Sequence, residues 1–177
     1  MTLPCRRNAA ALLPAMRGLA LSGSLPRGRQ EGNMYKELIL GLTRDNEFVK
    51  IQPPCSEKEI DKAEKAVGYS FPNELRALLR ELNGDKYLLL SAEEIAEQAK
   101  LNREVKEEYK DEEFAQNLDK LIFFAGNGCG DYWCYLADDN GTVDEHVIYI
   151  WEHEEYSLKH AAANMAELIT RYYNGEI

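Results

Sequence analysis

The apolar pattern of this chain changes period near residue 120, and that change limits its possible folds more than anything else. Before that point apolar residues recur three and four apart. After it come LIFFA (121–125), YWCYL (132–136) and HVIYIW (146–151). These runs are rich in aromatic and β-branched residues, as strands are. Turn formers separate them. GNGCG (126–130) is dense in glycine, and DDNG (138–141) is a hairpin signal whose Asn-Gly pair favours positive φ. Along the second run Tyr132, Cys134 and Leu136 share one face, with Trp133 and Tyr135 on the other. Along the third, Val147, Tyr149 and Trp151 oppose Ile148 and Ile150.

The first half reads as helices. MYKELILGL (34–42) places Tyr35, Leu38, Ile39 and Leu42 on one helical face. Ser56 and Glu59 form a capping box, opening a helix that runs to about Val67 and stops at Gly68. Pro72 suits the first turn of the next helix, where Leu75, Leu78, Leu79 and Leu82 make a strong apolar face before Asn83-Gly84 ends it. YLLL (87–90) reads as a short strand. Ser91 and Glu94 form a second capping box, and a charged segment follows to about Tyr109. Its sparse apolar positions, Ile95, Ala99 and Val105, predict a largely solvated helix. Ser157 is expected to open a closing helix, with Leu158, Ala161, Ala162, Met165, Leu168, Ile169 and Tyr172 at helical spacing up to Asn174-Gly175. Helices, then strands, then a helix predict an α+β single domain, an antiparallel sheet covered by helices. A length of 177 residues suits one such domain.

Residues 1–33 stand apart. They hold five arginines and one acid. AAALLPAM resembles a signal-peptide core, but Pro14 and Arg17 interrupt it, and an Arg-rich, acid-poor stretch also fits a transit peptide. The favoured reading makes Met34 the true start and 1–33 a disordered or mis-annotated extension, with the domain over 34–177. The whole chain carries 21 Lys+Arg against 31 Asp+Glu, a net −10, which leaves 16 against 30, or −14, over 34–177. So acidic a body repels nucleic acid and anionic lipid and attracts basic partners. No apolar run reaches the ~20 residues of a membrane span. Four cysteines, Cys5, Cys55, Cys129 and Cys134, are too sparse for a disulfide scaffold and read as reduced thiols in a cytoplasmic protein; Cys129 and Cys134 could pair, but nothing in the sequence requires it.

Two clusters invite a chemical reading. Cys129, Cys134, His146 and His153 are zinc-type ligands. Their spacing opposes a site, because His146 and His153 bracket one strand and so stand about 20 Å apart at strand rise. Cys129 as a nucleophile has no histidine nearby in sequence, and Asp131 would raise its pKa. GNGCG precedes a strand and lacks a following Gly-Lys-Ser/Thr, so it is no phosphate cradle. The run Trp151-Glu152-His153-Glu154-Glu155 could serve acid–base chemistry or simply end a strand in a solvated acidic turn. No catalytic residue, metal or cofactor is expected.

Several of these segments together resemble the SUKH superfamily, in particular its Smi/Knr-type, cell-wall-regulator-like domains. The resemblance lies in Ser56-Glu57 with Ile60 and Ala63-Glu64, then VGYSFPNEL (67–75), then Leu79 to Asn83-Gly84. It continues through Phe123-Phe124-Ala125, GDYWCY (130–135), VIYIWEHE (147–154) and the 162–169 helix. It covers about residues 50–172, and the order of the motifs is more specific than any one of them. It implies a single α+β domain with no known catalytic role. Many bacterial members are immunity proteins that bind toxins, often nucleases, whereas fungal members are regulatory interaction scaffolds. The expectation is therefore a protein that binds a basic toxin domain. Candidate contact residues are Asp131, Tyr132, Trp133, Trp151, Glu152, His153, Glu154 and Glu155, since Trp and Tyr are favoured interface anchors. Core packing competes for the two tryptophans, and loop bracing for Asp131 and Glu152.

Overall fold

The computed structural model describes residues 33–44 and 46–177; the expectation for the N-terminal extension falls on residues outside that range. Helices α1 (Met34–Leu42), α2 (Glu57–Val67), α3 (Asn73–Glu81) and α4 (Ala92–Glu108) come first. Two 3-10 turns follow, Glu113–Ala115 and Leu118–Lys120. Next come β1 (Leu121–Gly126), β2 (Tyr132–Leu136), β3 (Ile148–Glu152) and β4 (Ser157–Ala162), and helix α5 (Met165–Tyr173) closes the chain. The strands form one antiparallel sheet in the order β1-β2-β3-β4. The fold is a single-domain α+β architecture.

Local chemistry explains the helix ends. Both expected capping boxes are present: Ser56 and Ser91 accept from the backbone N–H of Glu59 and Glu94, whose carboxylates reach back. Gly68 stops α2 in the left-handed conformation, φ +96°. Helix α1 has no side-chain cap of its own at Asn33. Glu81, buried at the end of α3, supplies one by accepting from the N–H groups of Tyr35 and Lys36 at 2.6 and 3.0 Å.

The sheet is covered on both faces. On one side Ile122, Phe124, Ala125, Trp133, Tyr135 and Ile148 pack with the leucines of α3 and the apolar faces of α1, α2 and α5. On the other, Phe123, Cys134, Tyr132, Tyr149, Trp151 and Leu158 form a smaller cluster closed by Val105, Phe114, Ala115 and Leu118. The strand alternation read from sequence is this division of faces. A bulge in β1, where Phe123 pairs with Cys134 but Ala125 with Trp133, turns Phe124 and Ala125 to the same side.

Several expectations need correction. Ser157 opens a strand, not a helix: Ser157–Ala162 pairs antiparallel with β3, and α5 begins at Met165, where Asn164 caps the Glu167 N–H at 2.9 Å. The segment 87–90 is less than a full strand. It lies along β1 through a single bridge, Leu89 to Ala125, with Leu90 N–H donating to the Phe124 carbonyl. Buried Asp85 holds this segment by accepting from the N–H groups of Tyr87, Leu88 and Leu89 at 2.8–2.9 Å, while the Tyr173 hydroxyl donates to its other oxygen. Helix α4 is largely solvated as expected, and its sparse apolar positions are the ones that pack: Ile95 and Ala99 are buried with Ala92 and Asn102, and Val105 joins the second cluster. Cys55 and Cys134 are free, buried thiols. Cys129 departs from the expected reduced state, being disulfide-bonded.

Candidate functional site

Strand pairing brings the two tempting clusters of the sequence together. Tyr132 on β2 sits opposite Trp151 on β3, so GNGCGD before β2 meets EHEE after β3. Asp131 is 3% exposed and lies at the centre of a clasp. Its Oδ1 accepts from His153 Nδ1–H at 2.8 Å and from the His153 backbone N–H at 3.3 Å, and its Oδ2 accepts from Asn127 Nδ2–H at 2.7 Å. Asn127 in turn accepts from the N–H of Cys129 at 2.8 Å and of Asp131 at 3.3 Å. Gly130 lets the imidazole close over the loop. Its φ is +106°, and a Cβ there would lie 2.7 Å from His153 Cγ.

The eight candidate residues divide by position. Trp133 is 2% exposed and packs edge-on against Tyr172 on the helix-covered face, which leaves it no surface to offer. Asp131 is inside the clasp. Tyr132 and Trp151 lie half-buried on the opposite face, with Tyr132 stacked on Phe123 at 4.9 Å. Burial raises the Tyr132 phenol. Glu152 pairs with Lys159 and accepts from Ser157 Oγ at 3.0 Å, and the Lys159 ammonium holds its carboxyl below the ordinary range. Lys159 also reaches Glu155 at 2.8 Å. Glu154 is exposed and makes no ion pair among the described residues.

The chemistry open to this arrangement is narrow. The Asp131–His153 pair has the form of a base with its orienting carboxylate, and among the described residues no free thiol stands beside it. Cys129 is disulfide-bonded, and the Cys134 thiol is fully buried on β2, where burial pushes it up. Among the described residues no group of three or more His, Cys, Asp or Glu is placed to hold a metal ion. No helix among them is long and apolar enough to cross a membrane.

Beside the clasp the second sheet face is not fully closed. A cavity of about 160 Å³ lies between α4 and the sheet, walled by Leu101, Val105, Phe114, Tyr132, Trp151 and Tyr156. The Phe114 and Tyr156 rings stack at 4.3 Å across one end. The sequence alone did not single out Leu101, Phe114 or Tyr156. The signal available was one aromatic residue in each of two acid-rich turns, an odd placement for a ring in solvated loops. The clasp was readable only in part: antiparallel register from the GDYW and IWEH strings would have set Asp131 near His153.

Comparison with curated proteins finds no match. The sequence profile of the SMI1 / KNR4 family (SUKH-1) matches residues 54–171, about two thirds of the chain. The match spans α2 to α5 and includes both halves of the clasp, and this chain therefore belongs to the SMI1 / KNR4 family (SUKH-1).

Proposed function

We propose that this chain is a non-catalytic protein-binding domain, an immunity protein that neutralises a basic, nuclease-type toxin by stoichiometric binding in the cytoplasm. The observation that carries this reading is an acidic surface whose charges the fold leaves unsatisfied. Glu107, Glu108, Asp111, Glu112, Glu113 and Glu154 make no ion pair among the described residues. A toxin that cleaves nucleic acid must be basic to hold a phosphate backbone. A strongly acidic inhibitor would meet it quickly through electrostatic steering and cover that surface. The same charge opposes binding to nucleic acid or an anionic membrane. Tyr132, Trp151, Glu154 and Glu155 are the contact residues this reading favours, with Asp131, His153 and Glu152 shaping the loops that present them. A regulatory scaffold of the same family, with a partner that is not a toxin, is the alternative, and partner identity separates the two.

The test is affinity capture from the native host with the tagged full chain, followed by a salt step and mass spectrometry. A single basic partner whose nuclease activity stops at one equivalent of this protein is the expected result. Acidic or housekeeping partners would turn the reading to the scaffold, and turnover of any substrate by the isolated chain would end it.

A further inference from the structure

The geometry points to the cavity between α4 and the outer sheet face as the anchor pocket for a basic protein segment, which inserts one branched aliphatic or aromatic side chain there. This deepens the binding reading above and rests on it for the source of the segment. The pocket's size, about 160 Å³, suits a single such side chain. Its walls are apolar, and its two polar members are already engaged: Gln98 donates to Asn102 Oδ1 at 3.2 Å, and Asn102 donates to the Leu118 carbonyl at 3.1 Å. It is open to an incoming chain, because Leu101 and Tyr156 at its mouth are 50% and 56% exposed.

Charge decides the rest of the occupant. The Phe114–Tyr156 stack, with Tyr109 against Phe114 at 5.8 Å, pins two acid-rich stretches to one end of the pocket. One is 107–113, which carries Glu107, Glu108, Asp111, Glu112 and Glu113 against Lys110 alone; the other is Glu154-Glu155, of which Glu155 pairs with Lys159 and Glu154 makes no ion pair among the described residues. The C-terminus of α4 at Glu108 adds its partial negative charge there. Tyr156 holds this turn with a φ of +50°, uncommon for a residue with a side chain. Like charges on two stretches joined by the ring stack repel one another in the free protein, and cations of a bound segment relieve that repulsion. An apolar pocket beside unpaired acids therefore selects a lysine- or arginine-flanked apolar side chain.

The test uses the full chain labelled with 5-fluorotryptophan. Its two fluorine resonances are assigned by Trp151→Phe, and the probes are the synthetic peptides KKLKK, KKAKK and EELEE. KKLKK is expected to shift the Trp151 resonance and leave that of Trp133, which lies on the other sheet face. KKAKK should bind about tenfold more weakly, since it buries no anchor side chain, and EELEE should not bind. Leu101→Arg should abolish the shift, and Glu113→Lys with Glu154→Lys should weaken it severalfold, with Trp133 as the check on folding. Equal affinity for KKLKK and KKAKK, or an unmoved Trp151 resonance, would overturn the proposal. So would a Trp151 resonance that shifts with protein concentration alone, which would make the occupant a second copy. Host-partner capture unaffected by Leu101→Arg sinks the pocket and leaves the binding reading. Selective KKLKK binding with no basic partner captured does the reverse.

Discussion

At the scale of single residues, the clasp joins the two strings that most nearly suggested catalysis and binds them into one hydrogen-bonded unit. Asp131 exchanges water for bonds to a histidine ring, the Asn127 side-chain amide and the His153 backbone N–H, which is how a buried carboxylate is tolerated. Two outcomes follow. Gly130→Ala places a Cβ against the imidazole in a left-handed backbone conformation, and urea unfolding should show a loss of about 2–4 kcal/mol. Asp131→Ala strands the donors of Asn127 and His153 and should cost about 2–3 kcal/mol. In a double-mutant cycle with His153→Ala the two losses should be less than additive, whereas strict additivity would refute the clasp. Asp85 works in the same way elsewhere: one oxygen gathers three backbone N–H groups and the other takes the Tyr173 hydroxyl. Tyr173→Phe should cost about 1–3 kcal/mol for the oxygen left without that donor.

At the scale of elements, what was readable depended on whether the signal was local. The two capping boxes, the left-handed stop at Gly68 and the leucine face of α3 were all legible, because each is satisfied within a few residues. The misread element shows the limit. SLKHAA lacks turn formers and carries its apolar residues at helical spacing, yet β3 offers an open edge, and sheet pairing overrides that local preference. Asn164 with Glu167 did mark the true helix start. The cap of α1 could not be read at all, since its acceptor, Glu81, is 46 residues from Tyr35. Glu81→Ala should cost about 1–2 kcal/mol, in the range of a lost cap. Native-state hydrogen exchange should show faster exchange in α1 with α2 unchanged; uniform acceleration of the whole domain would mean that Glu81 is not acting as a cap.

At the scale of the whole molecule, burial sets an alkaline limit. Burial, then the charge of Glu59, lifts the Cys55 thiol from 9.0 to about 11. Burial also raises Cys134, Tyr35, Tyr135 and Tyr173. Each keeps in the folded state a proton that the unfolded chain would release. Stability is therefore complete below about pH 9 and falls as pH climbs through the folded values. Urea midpoints measured from neutral pH to about 11 should fall throughout the alkaline half, and Cys55→Ala should flatten the slope between about 9 and 11. Flat midpoints across that range would contradict the sign. Given the net −14 of residues 34–177, association with the proposed basic partner should weaken with added salt, because screening shortens the reach of the field; salt-independent affinity would contradict it.

Sequence alone determined the α+β class, the period switch near residue 120, the faces taken by the residues of β2 and β3 and the sign of the surface. These are properties of neighbours along the chain and of summed charge, which need no long-range contact. Tertiary structure alone decided that β4 pairs rather than coils, that Glu81 caps α1 and that Trp133 is enclosed while Trp151 edges a pocket. It also placed the Asp131–His153 clasp and the stacked Phe114 and Tyr156 rings. Each of these depends on groups 22 to 46 residues apart meeting at contact distance or on which sheet face the helices cover, and neither is encoded in local periodicity.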